Sequence, residues 1–138
     1  MNSVKQISFG IAGVRINEFA ERSVAPGAKE CLVENQMRAG VNKDQNQIIV
    51  GMRTRFLVNI DNIQHCLAEL DMDAFFKVEE FDEMVKFDET NVPVVDPNLM
   101  ISLVSITYST ARGILIGKSV PHMLPIVDPK NLMVTSAG

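Results

Sequence analysis

Across residues 47–58 apolar and polar side chains alternate. Ile48, Val50, Met52, Phe56 and Val58 fall on one side of the chain, and Gln47, Gly51, Arg53 and Arg55 on the other. A period of two belongs to a strand with one face in a core and the other wet. The same alternation runs upstream, with Cys31, Val33, Asn35 and Met37 opposite Leu32, Glu34, Gln36 and Arg38. The polar tip at residues 40–46 joins the two segments as a hairpin. Nearer the N-terminus, Ile7, Phe9 and Ile11 are followed by Val14 and Ile16, a slip of one position at Gly13. One extra residue swaps the faces of a strand, and glycine tolerates the backbone this requires, so a bulged first strand is expected around Gly10 to Gly13. Pro26-Gly27 reads as the turn that follows it. Asp61-Asn62 ends the third strand. A fourth is expected from about Leu70 to Val85, with Met72, Ala74, Phe76 and Val78 opposite Asp71, Asp73, Phe75, Lys77 and Glu79. Four successive strands with short connections imply an antiparallel meander or a close relative, not parallel crossovers.

The period changes near residue 96. Asp96-Pro97 places an N-cap before a proline at the first helical position, where the missing N–H costs nothing. Leu99, Leu103, Ile106, Tyr108 or Thr107, Ala111 and Ile114 then recur every three to four residues, and Gly117 is placed to stop the helix. With only Arg112 and Lys118 charged, this helix is expected to bury two faces, one on the sheet and one on another subunit. Past Pro121, the apolar stretch 123–127 leads to Asp128-Pro129, which repeats the cap-and-proline signal for a short last helix ending near Met133. Residues 135–138 read as a loose tail. The pattern thus predicts one α+β domain over 1–138: a four-stranded curled antiparallel sheet followed by a long helix and a short C-terminal helix.

Composition narrows the function. The 138 residues are 46% hydrophobic and 22% charged, with eight Met and no Trp, an apolar surplus that suggests self-association or an apolar binding surface. The net charge of −4 argues against a nucleic-acid partner, which needs a concentrated basic face. Residues 1–60 hold eight Lys/Arg and five Asp/Glu, whereas residues 69–89 hold nine acids and two lysines. This acidic band reads as a solvated face or as a docking patch for a basic partner, with Glu69, Asp71, Asp73 and Glu79 as its candidates. Cys31 and Cys66 lack CxxC spacing, so neither a disulfide framework nor a zinc site is expected. No signal peptide and no apolar run of about 20 residues is evident, making the cytosol the expected location, without membrane insertion.

No catalytic constellation emerges. His65 stands next to Cys66 in what reads as a connecting segment, where neighbours in an extended chain point opposite ways, and His122 follows Pro121 in a loop. The acids at 69, 71 and 73 lack the glycine turn and bidentate spacing of a calcium loop. Gly10 and Gly13 do not lead into a helix, as a phosphate loop requires. The sequence predicts no enzyme, no cofactor and no metal. Its methionines fill a core or offer an adaptable apolar surface; Met37, Met52, Met72 and Met84 are placed on strands.

The strands, the helix carrying Tyr108 and Ala111-Arg112, and the segment Leu124-Pro125-Ile126-Val127-Asp128-Pro129-Lys130-Asn131-Leu132-Met133 together resemble the SecB-type export chaperones. In that family a helix bearing Tyr-Ala-Arg is followed by a Phe-Pro loop and a Leu-x-Pro segment that opens a second helix. Pro121 stands at the proline of the loop, and Leu124, Val127 and Leu132 keep the register. Asp128 replaces an Asn, Met133 an aromatic, and Gly113 the Glu after Ala-Arg. The motif spans residues 108–133.

The resemblance implies a tetramer, a dimer of dimers, that binds non-native polypeptides without ATP. It implies client contacts at Val33, Met37, Met123, Leu124, Ile126, Leu132 and Met133. It also implies docking of the translocase motor SecA on the acidic sheet face, although Lys77 stands where that strand carries an acid in the family. The leading expectation is a chaperone for protein export. The alternatives are a chaperone dedicated to one partner of the toxin–antitoxin type and a small thioesterase of the hot-dog fold, which places its helix early in the chain.

Overall fold

The protein was analysed as a computed structural model, which describes residues 8–22, 32–118 and 134–136. In chain order these form β1 (Phe9–Glu21), β2 (Leu32–Asn42), β3 (Gln47–Ile60), β4 (Ile63–Val78), the single helical turn α1 (Phe81–Met84), β5 (Val85–Phe87), β6 (Pro93–Val95), the long helix α2 (Pro97–Gly117) and β7 (Val134–Ser136). The main sheet has the order β1-β4-β3-β2-β7, and β5 and β6 form a separate hairpin.

The four-stranded antiparallel sheet and the long helix are present, so the molecule is α+β as its periodicities predict. Its topology is more specific than a meander. The strands β2, β3 and β4 follow one another as antiparallel neighbours, but β1 lies beside β4, at the opposite edge from β2. A returning strand of this kind makes a Greek-key order. The predicted turn at Pro26-Gly27 lies outside the described residues.

The alternating apolar set of β3 lies in the core: Ile48, Val50, Met52 and Phe56 are at most 1% exposed. On β4, Leu70, Met72, Ala74 and Phe76 are fully enclosed. Helix α2 lays Leu99, Leu103, Thr107, Ala111 and Leu115 on this face, together with Val104 and Tyr108. Each wholly buried aliphatic side chain contributes about 1.5–3 kcal/mol to folding. The helix begins as its sequence dictates, with Asp96 accepting from the N–H groups of Asn98 and Leu99 at 3.1 Å each. Ile106 and Ile114 are half-buried, since they lie to one side of the stripe that faces the sheet. By length and composition α2 could cross a membrane, contrary to the reading of apolar runs alone, because its Ser, Thr and Gly residues interrupt the runs without adding charge. Its apolar stripe is committed to the sheet.

Other boundaries differ from the sequence pattern for local reasons. Asp61 and Asn62 both take left-handed φ, 52° and 64°, which short polar side chains tolerate. They form a two-residue turn, so β4 starts at Ile63 rather than near Leu70. Its first residues are exposed and show no alternation, which hid them. His65 therefore lies within a strand, opposite Val58, and not in a connection. β4 stops at Val78 rather than Val85 because the chain turns at Glu79 and Glu80 into α1, which places Met84 on a helical turn and not on a strand. The first strand is bulged between Ile11 and Gly13, as its phase slip predicts, and again between Ile16 and Glu18. The expected loose tail is corrected at Thr135 and Ser136, which with Val134 form β7, parallel to Met37–Ala39 of β2. An edge strand offers unpaired main-chain groups, and β-branched residues suit such an edge. The short helix expected after Asp128-Pro129 lies outside the described residues.

Candidate functional site

Two surfaces of the sheet carry chemistry. On the outer face, away from α2, the register aligns Arg38 of β2 with Gly51 of β3, Gly51 with Asp73 of β4, and Asp73 with Arg15 of β1. Arg38 Nη2 crosses the glycine to donate to Asp73 Oδ1 at 3.0 Å and to Asp71 Oδ1 at 2.6 Å. Arg15 Nη2 donates to Asp73 Oδ2 at 3.0 Å, and Asn17 Nδ2 reaches both carboxylates, at 2.9 and 3.0 Å. Gly51 is required by this crossing, since a Cβ there would lie 2.4 Å from Arg38 Nε and 2.5 Å from Asp73 Oδ1. Farther along the same strands Arg53 pairs with Glu69, and Arg55 with Glu34.

Burial pushes the Asp73 carboxyl up. Donation from Asn17 and Arg15 and the charge of Arg38 outweigh it, so Asp73 titrates below the ordinary carboxylate range. Burial likewise lowers Arg38, but its bonds and charge interactions with Asp71 and Asp73 raise it further. Glu69, Asp71 and Asp73 are thus brought together on one face with an arginine beside each. Glu79 stands apart, exposed just past the end of β4, its N–H donating to Ser8 O at 3.1 Å. At Glu69, Asp71 and Asp73 the band is acidic in sequence and compensated in space. The arginines that compensate it, Arg15, Arg38 and Arg53, lie 16 to 58 positions away in the chain. A sequence signal for them exists: arginines and acids both occupy the polar phase of their strands.

The second surface is the inner flank of β2. Here Val33, Asn35, Met37, Ala39 and Val41 share a face. Met37 is only 2% exposed, whereas Val33 and Val41 are half-buried against the core. Thr54 Oγ1 donates to Asn35 Oδ1 at 2.5 Å, and the Asn35 side chain is hydrogen-bonded to the Tyr108 hydroxyl of α2. Burial raises the Tyr108 pKa, and the nearby Arg112 and Asn35 moderate the rise. The strand edge above this flank is paired over Met37–Ala39 by β7. Of the client-contact residues expected from the resemblance, Val33 and Met37 lie here, two pleat repeats apart with Asn35 between them. Met123, Leu124, Ile126, Leu132 and Met133 lie outside the described residues.

Apolar side chains remain uncovered elsewhere. On β1, Ile11, Val14 and Ile16 are 40–51% exposed, and Ile116 near the end of α2 is 56% exposed. Among the described residues no group of three or more His, Cys, Asp or Glu is arranged to hold a metal ion.

No protein-family model matches the sequence, and neither does any curated protein. Among solved structures the chain is similar to the SecB-like chaperone of Mycobacterium tuberculosis, solved in complex with a ChAD peptide from the HigA1 antitoxin. That similarity covers 86% of this chain and 87% of the other, at 9% identity and a TM-score of 0.51. At this identity it shows a shared fold. A protein of unknown function from Streptococcus agalactiae aligns over 88% of this chain and 100% of its own, at 11% identity and a TM-score of 0.33.

Proposed function

We propose that this protein is an ATP-independent chaperone, and not an enzyme, that binds extended non-native polypeptides in the cytosol. The observation that carries the reading is the fold it shares with a SecB-like chaperone that was solved holding a peptide. The inner flank of β2 supplies what such a client needs: half-buried Val33 and Val41 on either side of Met37, on a strand whose outer edge is paired by β7 at Met37–Ala39. An extended peptide can add its main chain to such an edge and set alternate side chains against the flank. Met123, Leu124, Ile126, Leu132 and Met133 would complete the apolar surface.

The uncovered apolar side chains of β1 and α2 support self-association, with a dimer of dimers as the proposed assembly. A small monomer rarely leaves an edge strand with Ile11, Val14 and Ile16 open to water. Sedimentation at micromolar concentration should show no major monomer species.

Export is the first role proposed, with SecA as the receiving partner on the outer face. A dedicated role beside a single partner of the antitoxin type is favoured by one observation: the acids at 69, 71 and 73 already hold arginines, so a basic partner must displace those arginines to dock. A stoichiometric excess of the protein should suppress light scattering from a chemically denatured, aggregation-prone protein. Failure at every ratio would remove the general chaperone reading, and capture of one neighbouring gene product in place of many unfolded chains would establish the dedicated one.

A further inference from the structure

The β2 edge is already occupied. In the main sheet, β1, β2, β3 and β4 pair antiparallel along nearly their full lengths, whereas among the described residues β7 is a three-residue strand, parallel to β2, that covers Met37–Ala39 of Leu32–Asn42. Parallel pairing is slightly weaker per residue than antiparallel pairing, and so short a ladder holds little. Unlike β1, β2 keeps its register with β3 without a bulge along its whole length. It therefore offers a regular template beyond the three positions that β7 takes, on both sides of them.

We infer that β7 is a displaceable cover of the β2 edge: Val134–Ser136 holds the main-chain positions that an extended client takes, and leaves when the client pairs along Leu32–Asn42. The inference rests on the chaperone reading and adds to it a competition within the chain. The occupant is an extended, uncharged stretch of a non-native polypeptide. Two features of the edge select it. The seated segment is itself Val-Thr-Ser, which is uncharged and well suited to a strand. On the outer face Arg38 is committed to Asp71 and Asp73, and Glu34 to Arg55, so the edge presents no free charge from these residues to recruit a charged client. A longer antiparallel or parallel ladder from the client, with alternate side chains against Val33, Met37 and Val41, exceeds three residues of β7. Because only the uncovered form is competent, the apparent affinity is reduced by the fraction of time the edge is open.

The test compares the full chain, its Thr135→Pro variant and a form lacking residues 134–138. The probe is a reduced, carboxymethylated protein that stays unfolded. Proline removes an N–H and is poorly tolerated in a paired strand, so it lifts β7 without shortening the chain. Both altered forms should bind the probe about 5- to 10-fold more tightly than the full chain. A synthetic peptide of residues 131–138 should compete with the probe for the shortened form. Amide exchange at residues 37–39 should quicken in Thr135→Pro and slow again when the probe is added. Equal affinities, with all three forms binding, would overturn the cover and leave the chaperone reading intact. Weaker binding by the altered forms would make β7 part of the client site and overturn the cover. Tighter self-association of the altered forms without tighter probe binding would assign the edge to a second copy. No probe binding by any form would overturn the chaperone reading itself.

Discussion

On the inner face of the sheet Val50, Met52, Met72 and Phe76 are wholly enclosed, whereas on the outer face the same two strands hold Arg53, Asp71 and Asp73 in ion pairs. The inner face is redundant: many apolar contacts, none directional, each proportional to the area it removes from water. The outer face is specific. Arg15, Asp73, Gly51 and Arg38 form one row across four strands, and a slip of one residue in any strand would turn its charges toward the core. The difference teaches that the two faces do different jobs: the apolar face supplies most of the stability, and the charged face fixes the register at which it is supplied.

The largest effect should come from the inner face. Phe76 is fully buried and meets Phe9 edge to face, with ring centroids 6.3 Å apart. Phe76→Ala should destabilise the fold by about 3–5 kcal/mol in chemical denaturation. A loss under 1 kcal/mol would mean that this face is not the seat of stability.

Asp73→Asn, on the outer face, should cost about 1–3 kcal/mol at neutral pH, by leaving donors of Arg15 and Arg38 without their charged acceptor. The folded carboxyl titrates below its unfolded value, so the unfolded chain takes up the proton first as pH falls. The stabilisation is complete above the unfolded value, about 3.9, and is lost as pH falls through the folded one. The gap between wild type and Asp73→Asn should therefore narrow in acid. A gap that widens there would reverse the assigned sign.

Gly51→Ala tests the crossing itself. The atoms a Cβ would meet belong to side-chain ends that can move aside, so the expected cost is that of a disrupted bridge, about 1–2 kcal/mol. In an Asp73→Asn background the same substitution should cost less, because the bridge it disrupts is already weakened; full additivity would separate Gly51 from the row. The smallest effect is expected at Arg55→Ala. Its pair with Glu34 is solvated and screened, and denaturation midpoints of variant and wild type should coincide at high salt.

The periodicity by itself determined the strands that meet the core on one face, the bulge near Gly13, the Asp96 cap and the long helix. These are local matters of spacing and backbone preference, readable wherever burial forces alternation. The exposed first residues of β4 escaped for the same reason: Ile63, Gln64 and His65 are exposed, so nothing obliges them to alternate. The candidate site was legible only in part. Val33 and Met37 were placed correctly on one face of a strand, while the acids at 69, 71 and 73 could be read as a band but not as a compensated one. Their partners come from β1, β2 and β3, and which strand lies beside β4 depends on how the chain closes, a long-range choice that local spacing does not encode. The tertiary structure alone decided that β1 takes the far edge, that Arg38 passes over a glycine to reach two aspartates, and that Val134–Ser136 lies against β2. Each is a pairing between residues distant in sequence, stabilised only once the sheet beneath it exists.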